Sequence, residues 1–198
     1  MKKELDIYDF DHTIVSVDSG TRFVIYCFLR YPWTLITLPI VAVGGLLTAI
    51  GVIGFTQFKQ RCYTFVRLIP LEKAVRGFWD IFEKRVFPWW YEEKEREFVV
   101  ISASPDFLLE EAKGRLGIEN LISTRHNAKT GRIIGDNCRD EEKVRRLYEE
   151  FPDCKIVDVY SDSLKHDRPI FSLATGKTVH IQNGERVEFN YKEVYGEK

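Results

Sequence analysis

Hydrophobic and polar positions change rhythm several times along this chain. Leu5 to Phe10 alternates and is β-prone, which predicts a short strand, and Asp11, His12 and Thr13 then turn the chain out of the sheet. A helix is expected over Ile14 to Leu29, capped by Asp18 or Ser19 and carrying Phe23, Tyr26, Cys27 and Leu29. From Tyr31 to Phe58 the rhythm vanishes: the stretch holds no charged residue and no histidine, and Arg30 and Lys59 bracket it. Arg61 to Phe82 returns to helical periodicity, interrupted at Pro70. Phe87-Pro88-Trp89-Trp90 reads as core packing or a second interfacial contact, and Glu92 to Glu97 as a solvated helix end.

Beyond Phe98 the pattern alternates between strands and helices. Phe98 to Ser104 is an apolar strand ending in hydroxyl residues. Ser104-Pro105-Asp106 reads as a helix start with Ser104 as cap, and Gly117 closes that helix. Ile122 to Ile134 resembles a hairpin around Lys129-Thr130-Gly131, and Asp140 caps a helix over Glu141 to Phe151. Lys155 to Tyr160 is a buried strand, followed by shorter ones at Phe171 to Ala174 and Thr178 to Ile181. This alternation predicts an α/β fold with a parallel three-layer sheet, in which ligands bind beyond the carboxyl ends of the strands. Asp9, Asp11, Ser102 and Asp162 all fall at such ends.

The apolar stretch is long enough to cross a bilayer, which takes about 20 residues. A single crossing is excluded by topology, because the strand bearing Asp9 and the strand bearing Ser102 would end in different compartments. Pro39 and Gly44-Gly45 are expected to break the run into two helices of about 11 residues, each roughly 16 Å long and too short to span. Three arrangements stay open: a hairpin dipping into one leaflet, a helix pair in the interface, or cap helices buried against protein. Tyr31, Trp33 and the flanking basic residues suit an interfacial anchor on anionic head groups.

With 198 residues, the chain suits a domain plus a small cap, and its net charge of −1 gives no reason to expect nucleic acid as a partner. Four cysteines without a C-x-x-C pair, and no signal peptide before Asp9, suggest a reducing cytoplasm and no structural zinc. The chemistry begins at Asp9 and Asp11. At i and i+2 on an extended segment they share one side, and carboxylates so close imply a proton or a cation between them.

Four segments occur in order: Asp9 to Thr13, the strand ending at Ser102, Lys143 at a helix start, and Tyr160-Ser161-Asp162-Ser163 through Asp167. Together they resemble the signature of the haloacid dehalogenase superfamily of aspartate-nucleophile phosphatases. That resemblance implies a Rossmann-like core over 1–16 and 96–198 and a helical cap over 17–95, inserted after the first strand. It implies Mg²⁺ held by the side chains of Asp9 and Asp162 and the backbone carbonyl of Asp11. Asp9 would be the nucleophile and Asp11 the general acid and base. Thr13, Ser102, Ala103 and Lys143 would hold phosphate, with Lys143 also neutralising charge, and Asp167 would support Lys143 or the metal waters. His12 stands where the superfamily more often has glycine, and the interval from Asp162 to Asp167 is one residue longer than expected.

Within the superfamily, the closer resemblance is to the helical-cap subclass that includes phosphoserine phosphatases. Phe28-Leu29-Arg30, the apolar stretch and Pro169 after the fourth motif are similar to phosphatidylglycerophosphatase C. This implies a lipid phosphate as substrate and a place on the cytoplasmic side of the cell membrane, peripheral or monotopic. Two alternatives stand beside it: a soluble phosphoserine-type phosphatase with the apolar stretch buried in its cap, and a catalytically silent membrane-binding module.

Overall fold

The computed structural model describes residues 3–196. Strand β1 (Lys3–Tyr8) lies at the centre of a six-stranded sheet, flanked by β2 (Phe98–Pro105) and β4 (Cys154–Ser161). The strand order is β3-β2-β1-β4-β5-β6, with β3 at Asn120–Thr124, β5 at Thr178–Gln182 and β6 at Glu185–Phe189. All pairings are parallel except the last, where β6 runs antiparallel to β5. The chain runs from β1 outward through β2 to β3 and then crosses back to β4 on the other side of β1, so the crevice at the carboxyl end of β1 is the place where a doubly wound sheet binds ligands.

Alternation along the strands divides the core between two faces. Leu5, Ile7, Val99 and Ile101 face one side, where Leu147 of α6 (Glu141–Glu150) and Phe171 of α7 (Arg168–Phe171) cover them. Tyr8, Phe10 and Val100 face the other, against Leu108 and Leu109 of α5 (Asp106–Leu116) and the helices inserted between β1 and β2. Those helices are α1 (Ser19–Arg30), α2 (Leu38–Ala49), α3 (Phe55–Cys62) and α4 (Leu71–Phe82), with 3₁₀ turns between them; α8 (Tyr191–Tyr195) ends the described chain. In α4 the residues Ala74, Val75, Phe78 and Trp79 form the buried stripe, and Trp79 Nε1 donates to the Leu108 carbonyl at 2.8 Å. Trp89 and Trp90 are buried, with Trp90 edge-on to Tyr8 and Phe98, so this pair packs the core and offers no interfacial contact.

Several expected elements take another form. The break in the apolar run falls at Gly51, whose φ is +73°, and not at Pro39 or Gly44-Gly45. Pro39 occupies the first turn of α2, where its missing N–H has no partner to lose. Gly44 sits inside α2, because a Cβ there would meet the Arg61 side chain of α3 at 2.6 Å. Phe171 to Ala174 is the end of a short helix and a turn, since Pro169 starts a helical turn there. The expected hairpin is present but shorter: its first residues form the parallel strand β3, and only Arg125 to Ile134 folds back antiparallel around Lys129-Thr130-Gly131, with the Asn127 amide donating to the Arg132 carbonyl at 2.8 Å. Glu92 closes the 3₁₀ turn Pro88–Tyr91 as a solvated helix end, but the segment does more than that: Arg96 pairs with Asp6 at 3.0 Å and Asp158 at 2.5 Å, fastening the return of the chain to β1 and β4. Asp158 is held by this arginine.

His126 lies where cap and core meet, with its ring edge-on to Tyr63 and Phe107 and its Nδ1 2.9 Å from the Thr124 carbonyl. Burial holds the imidazole down to about 4, against an ordinary value near 6.5. The unfolded chain therefore binds the extra proton between these values, and stability falls as pH drops from 6.5 towards 4. The His126 contribution is a loss on the order of 3 kcal/mol over that window, read as the difference in urea stability between the unmodified protein and His126→Phe, which should shift by about that amount from pH 6.5 to 4.

Candidate active site

The carboxyl ends of β1, β2 and β4 open into a cavity of about 520 Å³, within the range of small-molecule sites. Asp9, Asp11, Ser102, Ala103, Lys143, Asp162 and Asp167 line its core side, and Phe55, Phe58 and Lys59 of α3 line its cap side.

Asp9 leaves β1 just after the last residue paired with both neighbours, and its amide donates to the Tyr160 carbonyl at 2.9 Å. Lys143, in the first turn of α6, reaches it from the far side: Nζ lies 2.6 Å from Asp9 and 2.7 Å from Asp167. The lysine is only 3% exposed, so it is not a solvated helix residue. Burial opposes its charge, but Asp167 and Asp9 outweigh burial and raise its proton affinity. Asp167 is fixed in turn by the Ser161 hydroxyl at 2.5 Å.

Asp11 turns toward the cap. Its carboxylate accepts from the Ser19 amide at 2.8 Å and the Ser104 hydroxyl at 2.5 Å. Burial lifts its pKa to about 6, while these hydrogen bonds hold the ionised form and keep it from rising further. Ser104 is therefore a partner of the acid and not the cap of α5, a position taken by Pro105. Ser102 is buried, and its hydroxyl accepts from the Ser104 amide at 3.0 Å.

Thr13, expected to hold phosphate, is fully buried and does not line the cavity. Its hydroxyl accepts from the Asp162 amide at 2.9 Å and lies 3.4 Å from Asp9, so it ties the first acidic segment to the fourth. His12 has a φ of +57°, in the left-handed region that suits glycine, which gives the physical reason a glycine is favoured there. Asp140 occupies the N-cap position of α6 without a capping bond, because its carboxylate meets His166 Nδ1 at 2.9 Å. That contact places His166 on the cavity wall.

Asp9 and Asp162 also carry the information about a metal. Burial raises the proton affinity of both, and at Asp9 the neighbouring Asp167 and Asp162 add to it despite the pull of Lys143. Negative charge on this wall thus exceeds what one lysine neutralises, and oxygen donors of this kind suit Mg²⁺. Among the described residues no group of three or more His, Cys, Asp or Glu side chains is assembled around one point. A set of two carboxylates plus the Asp11 backbone carbonyl fits that finding, since Mg²⁺ keeps several waters.

The order of strands, the central acids and the buried lysine fit one known architecture, and comparison with known sequences decides it: residues 7–172 match the haloacid dehalogenase-like hydrolases. The chain belongs to the haloacid dehalogenase-like hydrolase family. Protein CicA of Caulobacter vibrioides is 36% identical over 98 residues, which cover 46% of this chain and 44% of CicA. The chain thus matches less than half the length of this curated relative. A Bordetella pertussis protein of unknown function superposes with a TM-score of 0.70 at 17% identity, covering 91% of this chain and 90% of that one. A phosphoserine phosphohydrolase-like protein from Francisella tularensis superposes at 0.58 with 16% identity, over 93% and 90%. At such identities the likeness shows the fold alone.

Sequence reasoning missed Lys59, Asn137 and Arg139, which also face the cavity. A signal existed for Lys59. Phe55, Phe58, Lys59 and Cys62 follow the i, i+3, i+4, i+7 spacing of one helix stripe, and all four line the cavity.

Proposed function

We propose that this protein is a Mg²⁺-dependent phosphomonoesterase that works through an aspartyl-phosphate and acts on a lipid phosphate at a membrane surface. The observation that carries the reaction is the different company of two carboxylates on one strand end. Asp9 has the Lys143 ammonium at 2.6 Å, which suits a nucleophile once a cation offsets the acids around it, whereas Asp11 has the Ser19 amide and the Ser104 hydroxyl as partners, is held near 6 and can exchange a proton at neutral pH.

In the first step an Asp9 oxygen bonds to phosphorus, the bond from phosphorus to the ester oxygen breaks, and Asp11 gives its proton to that oxygen. In the second step Asp11 takes a proton from water, the water oxygen bonds to phosphorus, and the bond to Asp9 breaks to release phosphate. Lys143 stabilises negative charge throughout, while Ser102 and the backbone beside it orient the phosphate oxygens. Bound Mg²⁺, held by Asp9, Asp162 and the Asp11 carbonyl, would offset the charge that a dianionic phosphate adds to an acidic wall.

Lipid as the substrate class rests on the surface around the cavity. Pro32–Ala49 is long and apolar enough to cross a membrane, and most of it is exposed. Ile36 is 76% exposed and Leu46 63%, so the stretch is not buried against protein as the soluble alternative required. Phe55 belongs both to this exposed surface and to the cavity wall. An interfacial α2–α3 hairpin would therefore set the cavity mouth beside the head groups, on the cytoplasmic side for a cytoplasmic protein.

Two measurements test this reading. In mixed micelles with Mg²⁺, phosphate release from a lipid phosphomonoester should exceed release from phosphoserine; turnover of phosphoserine alone would favour the soluble alternative, and no turnover of any ester the silent module. Flotation with anionic vesicles should recover the protein, and Ile36→Glu/Val43→Glu/Leu46→Glu should abolish flotation, because each buried charge costs a few kcal/mol in the bilayer. Undiminished flotation of the triple variant would sink the membrane assignment.

A further inference from the structure

Lys59 stands out among the cations of the cavity. Lys143 is neutralised by Asp9 and Asp167, and Arg139 has Asp140 at 3.7 Å and lies over the Phe55 ring. Lys59 has no carboxylate within ion-pairing distance among the described residues. Its Nζ donates instead to two neutral acceptors, the Ala103 carbonyl at 2.5 Å and Asn137 Oδ1 at 2.6 Å. An ammonium has three N–H groups, so two are committed and one is left for a ligand. Neutral acceptors fix its position without cancelling its charge, and burial pulls its pKa down to about 8. Asp11 and Asp18 favour its charge from beyond ion-pairing distance, and among the described residues no anion touches it.

Its position says where an anion would sit. The reacting acids stand at the ends of β1 and β4. Lys59 is anchored over β2 and β3: Ala103 lies on β2, and Asn137 Oδ1 also accepts from Thr124 Oγ1 at the end of β3. Both anchors therefore lie on the β2–β3 side of the strand end that carries Asp9. The same ammonium crosses from the cap to the core, so it borders the cavity space that the rest of a substrate must occupy.

We propose that Lys59 is a specificity-determining residue that binds a second anionic group of the substrate, a phosphodiester or a carboxylate, set beside the phosphate that is transferred. The proposal deepens the phosphomonoesterase reading and rests on it. The substrate is then an ester carrying two separated negative groups, of which one is removed.

The test compares matched pairs that differ by the second anion. In micelles the pair is phosphatidylglycerophosphate and phosphatidate; in solution it is phosphoglycolate and ethyl phosphate. The Mg²⁺-loaded protein should favour the two-anion member of at least one pair about tenfold in kcat/KM, and the pair that responds identifies phosphodiester or carboxylate. Lys59→Met should erase that preference, whereas Lys59→Arg should keep it within roughly threefold, since it retains the charge. If Lys59→Met lowers both members by one common factor, the residue is a brace between cap and core and the proposal fails. It fails equally if the unmodified protein shows no preference in either pair.

Binding separates this outcome from failure of the phosphatase reading. Calorimetry with the non-hydrolysable 2-carboxyethylphosphonate and propylphosphonate needs no turnover. The protein should bind the first about tenfold more tightly, and Lys59→Met should bind the two alike. Equal affinities here, and equal affinities of the unmodified protein for micellar phosphatidylglycerophosphate and phosphatidate without Mg²⁺, overturn the proposal whether or not any ester is hydrolysed.

Discussion

Asp9→Asn is expected to lower Mg²⁺-dependent phosphate release by roughly 10³- to 10⁴-fold while leaving the protein folded. Asparagine preserves the shape of the side chain but offers no anionic oxygen to attack phosphorus. The fold should tolerate the change, and even gain from it. Burial and the neighbouring acids raise the proton affinity of Asp9, so its ionised form is disfavoured in the folded state. A group with a raised folded pKa destabilises the fold at pH values above its unfolded pKa, and removing its charge relieves that penalty at neutral pH. A melting temperature equal to or above that of the unmodified protein, together with the loss of turnover, would separate a chemical role from a structural one. Substantial residual activity would rule out Asp9 as nucleophile.

Lys143→Met should produce the second large effect, and here activity and stability fall together. The lysine stands between Asp9 and Asp167 with no room for solvent around it. Without it, two carboxylates face each other in the interior, and breaking such a buried arrangement costs about 3 kcal/mol. Asp9 can answer by taking up a proton. The loss should therefore be greatest at neutral and alkaline pH and shrink as the solution becomes acidic, the sign expected for an acid whose folded pKa has been raised. Denaturant midpoints measured across pH 4 to 8 check this, and a pH-independent difference would contradict it. Turnover should fall by about 10²- to 10³-fold, because charge on the nucleophile and on the transferring group loses its counter-ion.

Most of what places the reacting groups was readable from the chain itself. β1 and β4 end just before Asp9 and Asp162, and Ser102 follows the apolar run Phe98 to Ile101 of β2; a buried strand followed by a polar turn leaves little choice of conformation. The helix carrying Lys143 announces itself by amphipathic spacing. What could not be read depends on contacts between distant segments. Phe171 to Ala174 is as apolar as a strand, yet Pro169 starts a helical turn that packs on the sheet. Gly44-Gly45 looked like a break, but the glycines let α3 approach α2. Ser104 has the local signature of a helix cap and is claimed by Asp11, which lies 93 residues earlier. Lys59 looked like the charged boundary of an apolar run. Only the folded cap carries it to Ala103 and Asn137.

β1 holds the acid on which the whole reaction turns, and one measurement addresses it most directly. Protein incubated with Mg²⁺ and a phosphomonoester, quenched in acid within a turnover and digested, can be mapped by mass spectrometry for an added phosphoryl group. The expected result is a single acid-stable, base-labile phosphoryl on Asp9, absent from Asp9→Asn. Steady release of phosphate with no such group on Asp9, or with the group on another residue, would contradict the account.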